Sequence, residues 1–146
     1  MSFAYRAGAA VLLVALALCL QCGGLAVFIT WLRRAFASGI HTHSPFHSAA
    51  LVMKSMVAVI VLHALQVMLW ASAYRWICLP SWESAFYFSA SSYATVGYGD
   101  LVLPSNWRMF GPLESIIGVL MCGVTVSLLF AVVTRLIGNP STTNKL

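Results

Sequence analysis

The sequence predicts an all-α membrane protein, with three spanning helices and one short helix that enters the membrane and returns. Of its 146 residues, 61% are hydrophobic and only 8% are charged, whereas a soluble domain carries about 25% charged residues. Three apolar stretches reach the length of about 20 residues that a spanning helix needs. A fourth apolar segment, between the second and third stretches, is interrupted by proline, serine and glycine. That segment is too broken to cross a membrane as one helix.

The first apolar stretch covers residues 7–32, and we assign residues 1–34 to an N-terminal peripheral helix. Arg6 precedes the apolar run, as a basic residue does in a signal peptide. The run is longer than a signal core, however, and Arg33 and Arg34 follow it directly. We therefore expect a retained helix that packs beside the other spans.

The second and third stretches flank the interrupted segment, and together they form one predicted domain over 49–137. Its outer helix is expected over 49–79 and its inner helix over 109–137. Residues 35–48 before this domain are expected to form a cytoplasmic or interfacial linker. Residues 138–146 are expected to form a short cytoplasmic tail, because glycine and proline follow the last apolar residues.

The net charge of +5 comes from basic residues scattered near the ends of the spans. They form no patch, so we expect no nucleic-acid partner. The positive-inside tendency places the linker and the carboxyl terminus in the cytoplasm, and three spans then place the amino terminus outside. The basic residues that support this orientation are Arg33, Arg34, Lys54, Arg135 and Lys145, and those against it are Arg6, Arg75 and Arg108.

The interrupted segment opens with a helix signal. Ser81 is a good N-cap residue, and Glu83 is favourable near the positive end of a helix. We expect a helix over 81–93, whose negative end points inward just before Thr95. This orientation suits a cation in a central water-filled space. Re-entrant backbone at membrane depth is tolerated only when it is buried in protein or lines water, so several copies must surround one axis.

The six residues that begin at Thr95 read TVGYGD and are the most informative in the chain. Gly97 and Gly99 reach backbone angles that other residues resist, so successive carbonyls can face one axis. Rings of such carbonyls can replace the hydration shell of a cation. The side chains of Val96 and Tyr98 then point away and pack against the scaffold, while Thr95 adds a hydroxyl oxygen.

This order of outer helix, pore helix, TVGYGD and inner helix resembles the two-span pore module of the potassium-channel superfamily. The resemblance covers residues 54–137, and the N-terminal helix is additional to it. It implies a homotetrameric pore with an extended selectivity filter over 95–100 and with Asp100 at the outer mouth. The implied ion-binding residues are Thr95, Val96, Gly97, Tyr98 and Gly99, with K⁺ held at Thr95, Val96, Gly97 and Tyr98.

Two residues depart from the pattern of the family. Ala94 stands where family members often carry a second threonine, and Ser91 stands where some carry a glutamate. We expect selectivity to survive, because the coordinating oxygens remain. For Asp100, an ordinary structural role is the alternative to a role at the outer mouth: its carboxylate would then accept a hydrogen bond from a pore-helix donor such as Tyr87.

Four further residues are candidates for gating. Glu114 follows a Gly-Pro-Leu sequence near the back of the expected filter, where a proton-sensing role competes with pairing inside its own helix. Gly118 and Gly123 match glycines that permit bending in the family, and close helix packing is the alternative. His63 lies mid-span with Gln66, where polar groups indicate a function by default, unless hydrogen bonds to a neighbouring helix satisfy them.

The sequence thus predicts a passive, potassium-selective channel in a prokaryotic plasma membrane. We expect no enzymatic activity and no cofactor, with K⁺ as the permeant ion and with membrane lipids and further copies of the chain as partners. The alternatives are a non-conducting or modulatory pore-like subunit and a weakly selective cation channel. The linker histidines, His41, His43 and His47, match no strong metal-ligand spacing, and a solvated linker is favoured over a metal-binding or pH-sensing one.

Overall fold

The computed structural model describes residues 3–37 and 45–137, and the regular secondary structure in those ranges is entirely helical. Three of its helices are long and apolar enough to cross a membrane. This confirms the predicted fold class of an all-α membrane protein. The helices are α1 (Phe3–Ala37), α2 (Pro45–Ile77), α3 (Trp82–Tyr93) and α4 (Phe110–Ile137).

The linker predicted over 35–48 is wrong at both ends. Helix α1 continues to Ala37, and α2 begins at Pro45, earlier than the outer helix predicted over 49–79. Proline suits the first position of a helix, because the backbone N–H that it lacks would have no helical acceptor there. The tail predicted over 138–146 lies outside the described residues.

Helix α3 starts as its sequence predicts. Ser81 is the N-cap, with φ −136° and ψ 156°, and its Oγ accepts a hydrogen bond from the Ser84 backbone N–H at 3.1 Å. Glu83 lies in the first turn, where its charge is favourable. The helix ends at Tyr93, so the helix predicted over 81–93 begins one residue later, after its cap.

Helix α3 runs inward and the chain then returns beside it. The Tyr93 hydroxyl lies 2.9 Å from Nδ1 of His63, a residue about 21 Å from the end of α2 at 1.5 Å per residue. The returning chain contacts the first half of α3. The Tyr87 hydroxyl donates to Asp100 Oδ2 at 2.7 Å, and the rings of Tyr87 and Tyr98 stack with their centroids 6.2 Å apart. We call the end of the structure that holds Asp100 and the start of α3 the mouth end.

Helix α1 packs against α2, and its first turns lie at the mouth end. There Arg6 Nη1 donates to the backbone carbonyl of Asn106 at 3.1 Å, in the loop before α4. Deeper in the structure, Nε2 of the buried Gln66 on α2 donates to the Ala17 carbonyl at 2.8 Å and to Gln21 Oε1 at 3.4 Å. Hydrogen bonds therefore join α1 to the rest of the chain at two levels.

Replacing Ser81 with alanine should destabilise the protein by about 1 kcal/mol, because the first turn of α3 loses its side-chain acceptor. The thermal unfolding midpoint of the purified protein in detergent measures this effect. Ser81→Asp should restore the midpoint, since aspartate caps as well as serine does. Ser105→Ala, at an exposed serine of the loop before α4, is the matched control and should leave the midpoint unchanged. Equal midpoints for S81A and S105A would show that the cap contributes nothing.

Candidate functional site

The backbone after α3 alternates in conformation. We call residues 95–100 the candidate filter. Thr95, Gly97 and Gly99 have positive φ values of 60°, 55° and 80°, so every second residue lies in the left-handed region. Glycine adopts this region freely, whereas a β-branched threonine adopts it with strain. This alternation lets successive peptide groups face the same way.

The N–H groups of the candidate filter bind the last turn of α3. The backbone N–H groups of Val96 and Gly97 donate to the Ser91 carbonyl at 2.9 and 3.2 Å. The Tyr98 N–H lies 3.5 Å from Ser91 Oγ. Because a trans peptide is planar and its N–H and C=O point in opposite directions, the carbonyls of Thr95, Val96 and Gly97 point away from α3.

These carbonyls face open space in the single chain. All residues of the candidate filter are exposed, with Val96 at 51% and Tyr98 at 69% of their full accessible surface. Tyr98 stacks on Tyr87 of α3, as expected for a side chain that points towards the scaffold. The candidate filter is thus held on one side by its own chain and is bare on the other.

Asp100 closes the candidate filter at the mouth end. Its Oδ2 accepts from the Tyr87 hydroxyl at 2.7 Å, and its Oδ1 accepts from the Leu101 backbone N–H at 3.0 Å. The donor suggested by the sequence, Tyr87, is therefore the one observed. Its hydrogen bond to the carboxylate raises the pKa of the Tyr87 phenol, which keeps the hydroxyl protonated as the donor.

Glu114 lies fully buried behind α3 and joins three helices. The Tyr74 hydroxyl of α2 donates to Glu114 Oε2 at 2.8 Å, and Ser89 Oγ of α3 lies 2.5 Å from Glu114 Oε1. Ser89 Oγ also lies 2.9 Å from the Val67 carbonyl. Glu114 does not pair inside its own helix, so that alternative is wrong. Its carboxyl group instead fixes α3 between α2 and α4.

His63 forms a second polar bridge, nearer the inner end of α3. Its Nδ1 lies 2.9 Å from the Tyr93 hydroxyl and its Nε2 lies 2.9 Å from Thr125 Oγ1. Thr125 Oγ1 is also 3.0 Å from the carbonyls of Met121 and Cys122. If Thr125 donates its single proton to its own helix, His63 Nε2 donates to Thr125 and Nδ1 accepts from Tyr93. The imidazole then ties α2 to the end of α3 and to the middle of α4.

The two inner-helix glycines differ in surroundings. A Cβ added at Gly118 would overlap the Tyr93 carbonyl oxygen at the end of α3, whereas one added at Gly123 meets nothing within 4 Å. One turn before Gly118, Ser115 Oγ donates to the Ser92 carbonyl at 2.7 Å. Close packing against α3 therefore explains why position 118 is a glycine. Within the single chain, no contact explains why position 123 is one.

His63 and Gln66 lie close together mid-span in the sequence, but they bind different helices: Gln66 bonds to α1, and His63 bonds to α3 and α4. The hydroxyl partners Tyr74, Ser89 and Tyr93 are not predicted from the sequence. Their hydroxyl groups stand within apolar segments of the sequence, and this pattern indicates hydrogen-bonding residues because a polar group at membrane depth needs a partner.

No metal centre competes with the candidate filter in the part of the chain that the structure describes. In residues 3–37 and 45–137, no group of three His, Cys, Asp or Glu side chains is placed to hold a metal ion. His47 belongs to α2, while His41 and His43 lie outside the described residues. The interpretation of the linker histidines stays a prediction.

Comparison with known proteins identifies the region that contains this site. A family model described as an ion channel matches residues 56–135, which is more than half of the chain. The match starts inside α2, includes α3 and the candidate filter, and ends inside α4. Neither a curated protein nor a solved structure matches significantly. The matched region leaves out α1.

Replacing Gly118 with alanine should displace the end of α3, because the added methyl group meets a backbone carbonyl that no side-chain rotation can move. We expect a loss of about 1–3 kcal/mol in stability, the usual cost of overpacking. Gly123→Ala is the matched control in the same helix and should leave stability unchanged within about 0.5 kcal/mol. Thermal unfolding in detergent compares the two variants. Equal effects would contradict the close packing at Gly118.

Replacing Tyr74 with phenylalanine removes one hydroxyl and leaves Glu114 Oε2 without its donor. We expect a loss of about 1–3 kcal/mol, because the acceptor stays buried. Tyr87→Phe removes the same group from an exposed partner, Asp100, and should cost less because water replaces the donor. The thermal unfolding midpoint should fall further in Y74F than in Y87F. A larger fall in Y87F would contradict the buried hydrogen bond to Glu114.

Proposed function

Because this chain belongs to the ion channel family, we propose that it forms a homotetrameric, potassium-selective pore that conducts K⁺ passively. The observation that carries this proposal is the backbone of the candidate filter. Its N–H groups bind Ser91 at the end of α3, and three successive carbonyls point away from α3. A row of carbonyls with one common direction is the arrangement that dehydrates a cation.

The oxygens suit K⁺ when several chains contribute them. Thr95, Val96, Gly97 and Tyr98 would supply four levels of backbone carbonyls, and the Thr95 hydroxyl would add one more at the inner end. Gly99 completes the alternation of backbone angles at the mouth end. Ions would move in single file between the resulting cages, driven by their mutual repulsion.

The bare side of the candidate filter supports a tetramer. Non-helical backbone at membrane depth must be buried in protein or must line water. A groove of 840 Å³ also lies between the candidate filter and the start of α4, and its lining includes Gly97, Gly99, Gly111 and Ile116. Neighbouring chains around one axis would fill this groove and close the carbonyls into rings. Because each chain carries one candidate filter, it supplies one carbonyl at each level, and a ring of four carbonyls needs four chains.

Two exposed carboxylates at the mouth end would attract cations. Glu83 and Asp100 would surround the entrance in four copies and raise the local cation concentration there. Because Arg6, Arg75 and Arg108 lie at the same end, this attraction comes from the two carboxylates and not from the net charge of that end. The negative end of α3 points towards the interior, where it would stabilise an ion in the central space. We place the mouth outside the plasma membrane of a prokaryotic cell and the carboxyl terminus in the cytoplasm, on the basis of the arginines and lysines near the opposite end.

Replacing Gly97 with alanine should abolish K⁺ flux into liposomes that hold the purified protein. Alanine in the left-handed region costs about 1–2 kcal/mol per chain. This strain adds to that of Thr95 in all four copies and favours conformations in which the carbonyls no longer share one direction. Gly8→Ala, at a glycine of α1 with nothing within 4 Å of an added Cβ, is the matched control and should conduct normally.

The same flux assay separates the proposed channel from the alternatives. A true channel passes K⁺ in the wild type and in G8A, but not in G97A, while all three assemble equally by size-exclusion chromatography. A non-conducting subunit gives no flux in any of them over a range of pH and lipid. A weakly selective pore passes Na⁺ as readily as K⁺. Wild-type flux that survives in G97A would contradict the role given to the candidate filter.

A further inference from the structure

An apolar crevice lies between α1 and α2, in the half of these helices away from the mouth end. Its volume of 520 Å³ falls within the range of about 300–1,000 Å³ typical of small-molecule sites. The walls are almost entirely hydrocarbon. They include Gly23, Gly24, Phe28, Trp31, Leu62 and Leu65.

Two glycines of α1 explain the shape of this crevice. At Gly24 the helices touch, because an added Cβ would overlap the side chain of Leu62. At Gly23 an added Cβ meets nothing within 4 Å, so no side chain fills the space beside that turn. The helices are thus in contact at one point and leave a slot next to it.

The slot continues into a basic opening. A second cavity of 380 Å³ shares Trp31 and Lys54 with the first, and its lining also includes Arg34 and His47. Lys54 is exposed and lies about 14 Å from the start of α2 at 1.5 Å per residue. The two cavities together form a site with an apolar body and a cationic entrance.

The charge of Lys54 has no acidic side chain to neutralise it. The chain contains three acidic residues, and all of them lie towards the mouth end, at the start of α3, at the end of the candidate filter and in the first turns of α4. An exposed lysine on an apolar helix extends its ammonium group to the interface along its hydrocarbon stem. Lys54 and Arg34 therefore place positive charge at the entrance that no acidic side chain neutralises, and this charge attracts an anion from outside the chain.

We propose that this crevice binds an anionic phospholipid of the surrounding leaflet. The acyl chain lies in the slot beside Gly23, and the phosphate lies between Lys54 and Arg34. Trp31, which lines both cavities, sits at the level of the headgroup, where tryptophan is favoured. Basic pockets between spanning helices bind acidic headgroups in this way.

Other occupants fit the site less well. A free phosphate leaves the apolar slot empty, and a neutral lipid leaves the cations unpaired. A neighbouring copy around the pore axis has no acidic side chain at this level, because Glu83, Asp100 and Glu114 all lie towards the mouth end. The lipid also gives α1, which lies outside the region matched by the channel family, a role of its own as one wall of a binding site.

Native mass spectrometry of the assembled protein tests the proposal by titration with dioleoyl phosphatidylglycerol or dioleoyl phosphatidylcholine. The wild type should retain the anionic phosphatidylglycerol in preference to the net-neutral phosphatidylcholine. Lys54→Gln should weaken phosphatidylglycerol binding about fivefold, the usual effect of one basic residue near an anionic lipid. Lys54→Arg should retain the binding. Arg33→Gln is the matched control, because Arg33 carries the same charge on α1 but is outside the linings of both cavities.

A second pair of variants tests the apolar slot. Gly23→Leu should fill it and reduce phosphatidylglycerol binding, while Gly8→Leu, elsewhere on α1, should not. Equal losses for R33Q and K54Q would mean diffuse charge attraction and would overturn the proposal. So would equal binding of both lipids, unchanged binding in G23L, or displacement by inorganic phosphate. Loss of assembly in G23L without lipid binding in the wild type would instead assign the crevice to a second copy. None of these results depends on ion flux.

Discussion

Backbone N–H groups at membrane depth need acceptors inside the protein, and this requirement shapes the whole site. In the candidate filter, the N–H group of Thr95 donates to the Ser92 carbonyl, and those of Val96, Gly97 and Tyr98 donate to the carbonyl and the hydroxyl of Ser91. Because each peptide is planar, satisfying the N–H groups on one side turns the carbonyls to the other. The direction of the carbonyls is therefore a consequence of where α3 ends. If the end of α3 moves, the carbonyls move with it.

The neighbouring helices hold the end of α3 at three points. The Glu114 carboxyl group bridges α2, α3 and α4, the His63 ring does the same one level deeper, and Gly118 lets α4 contact the last carbonyl of α3. The hydrogen bonds of Glu114 are fully buried, so an unpaired partner there is costly, whereas those of His63 are half-buried. A displacement of α4 consequently acts on the last turns of α3, which carry Ser91 and so orient the candidate filter.

The sequence predicts the local features well, because each depends on residues close together in the chain. The Ser81 cap, the length of α3 and the positive φ of Gly97 and Gly99 all follow from residue type and short spacing. The partners of His63 lie about 30 and 62 residues away, and only the packing of helices brings them together. The linker was misjudged for a related reason, since polar residues at the ends of α1 and α2 do not reveal whether a helix continues past the apolar stretch.

A single-channel reversal potential between KCl and NaCl measures the proposed potassium selectivity. If the carbonyls of the candidate filter replace the hydration shell of K⁺, the wild-type current should reverse close to the equilibrium potential of K⁺. A reversal potential near zero would show that both cations pass equally, and it would contradict the account of the candidate filter as a set of carbonyl cages.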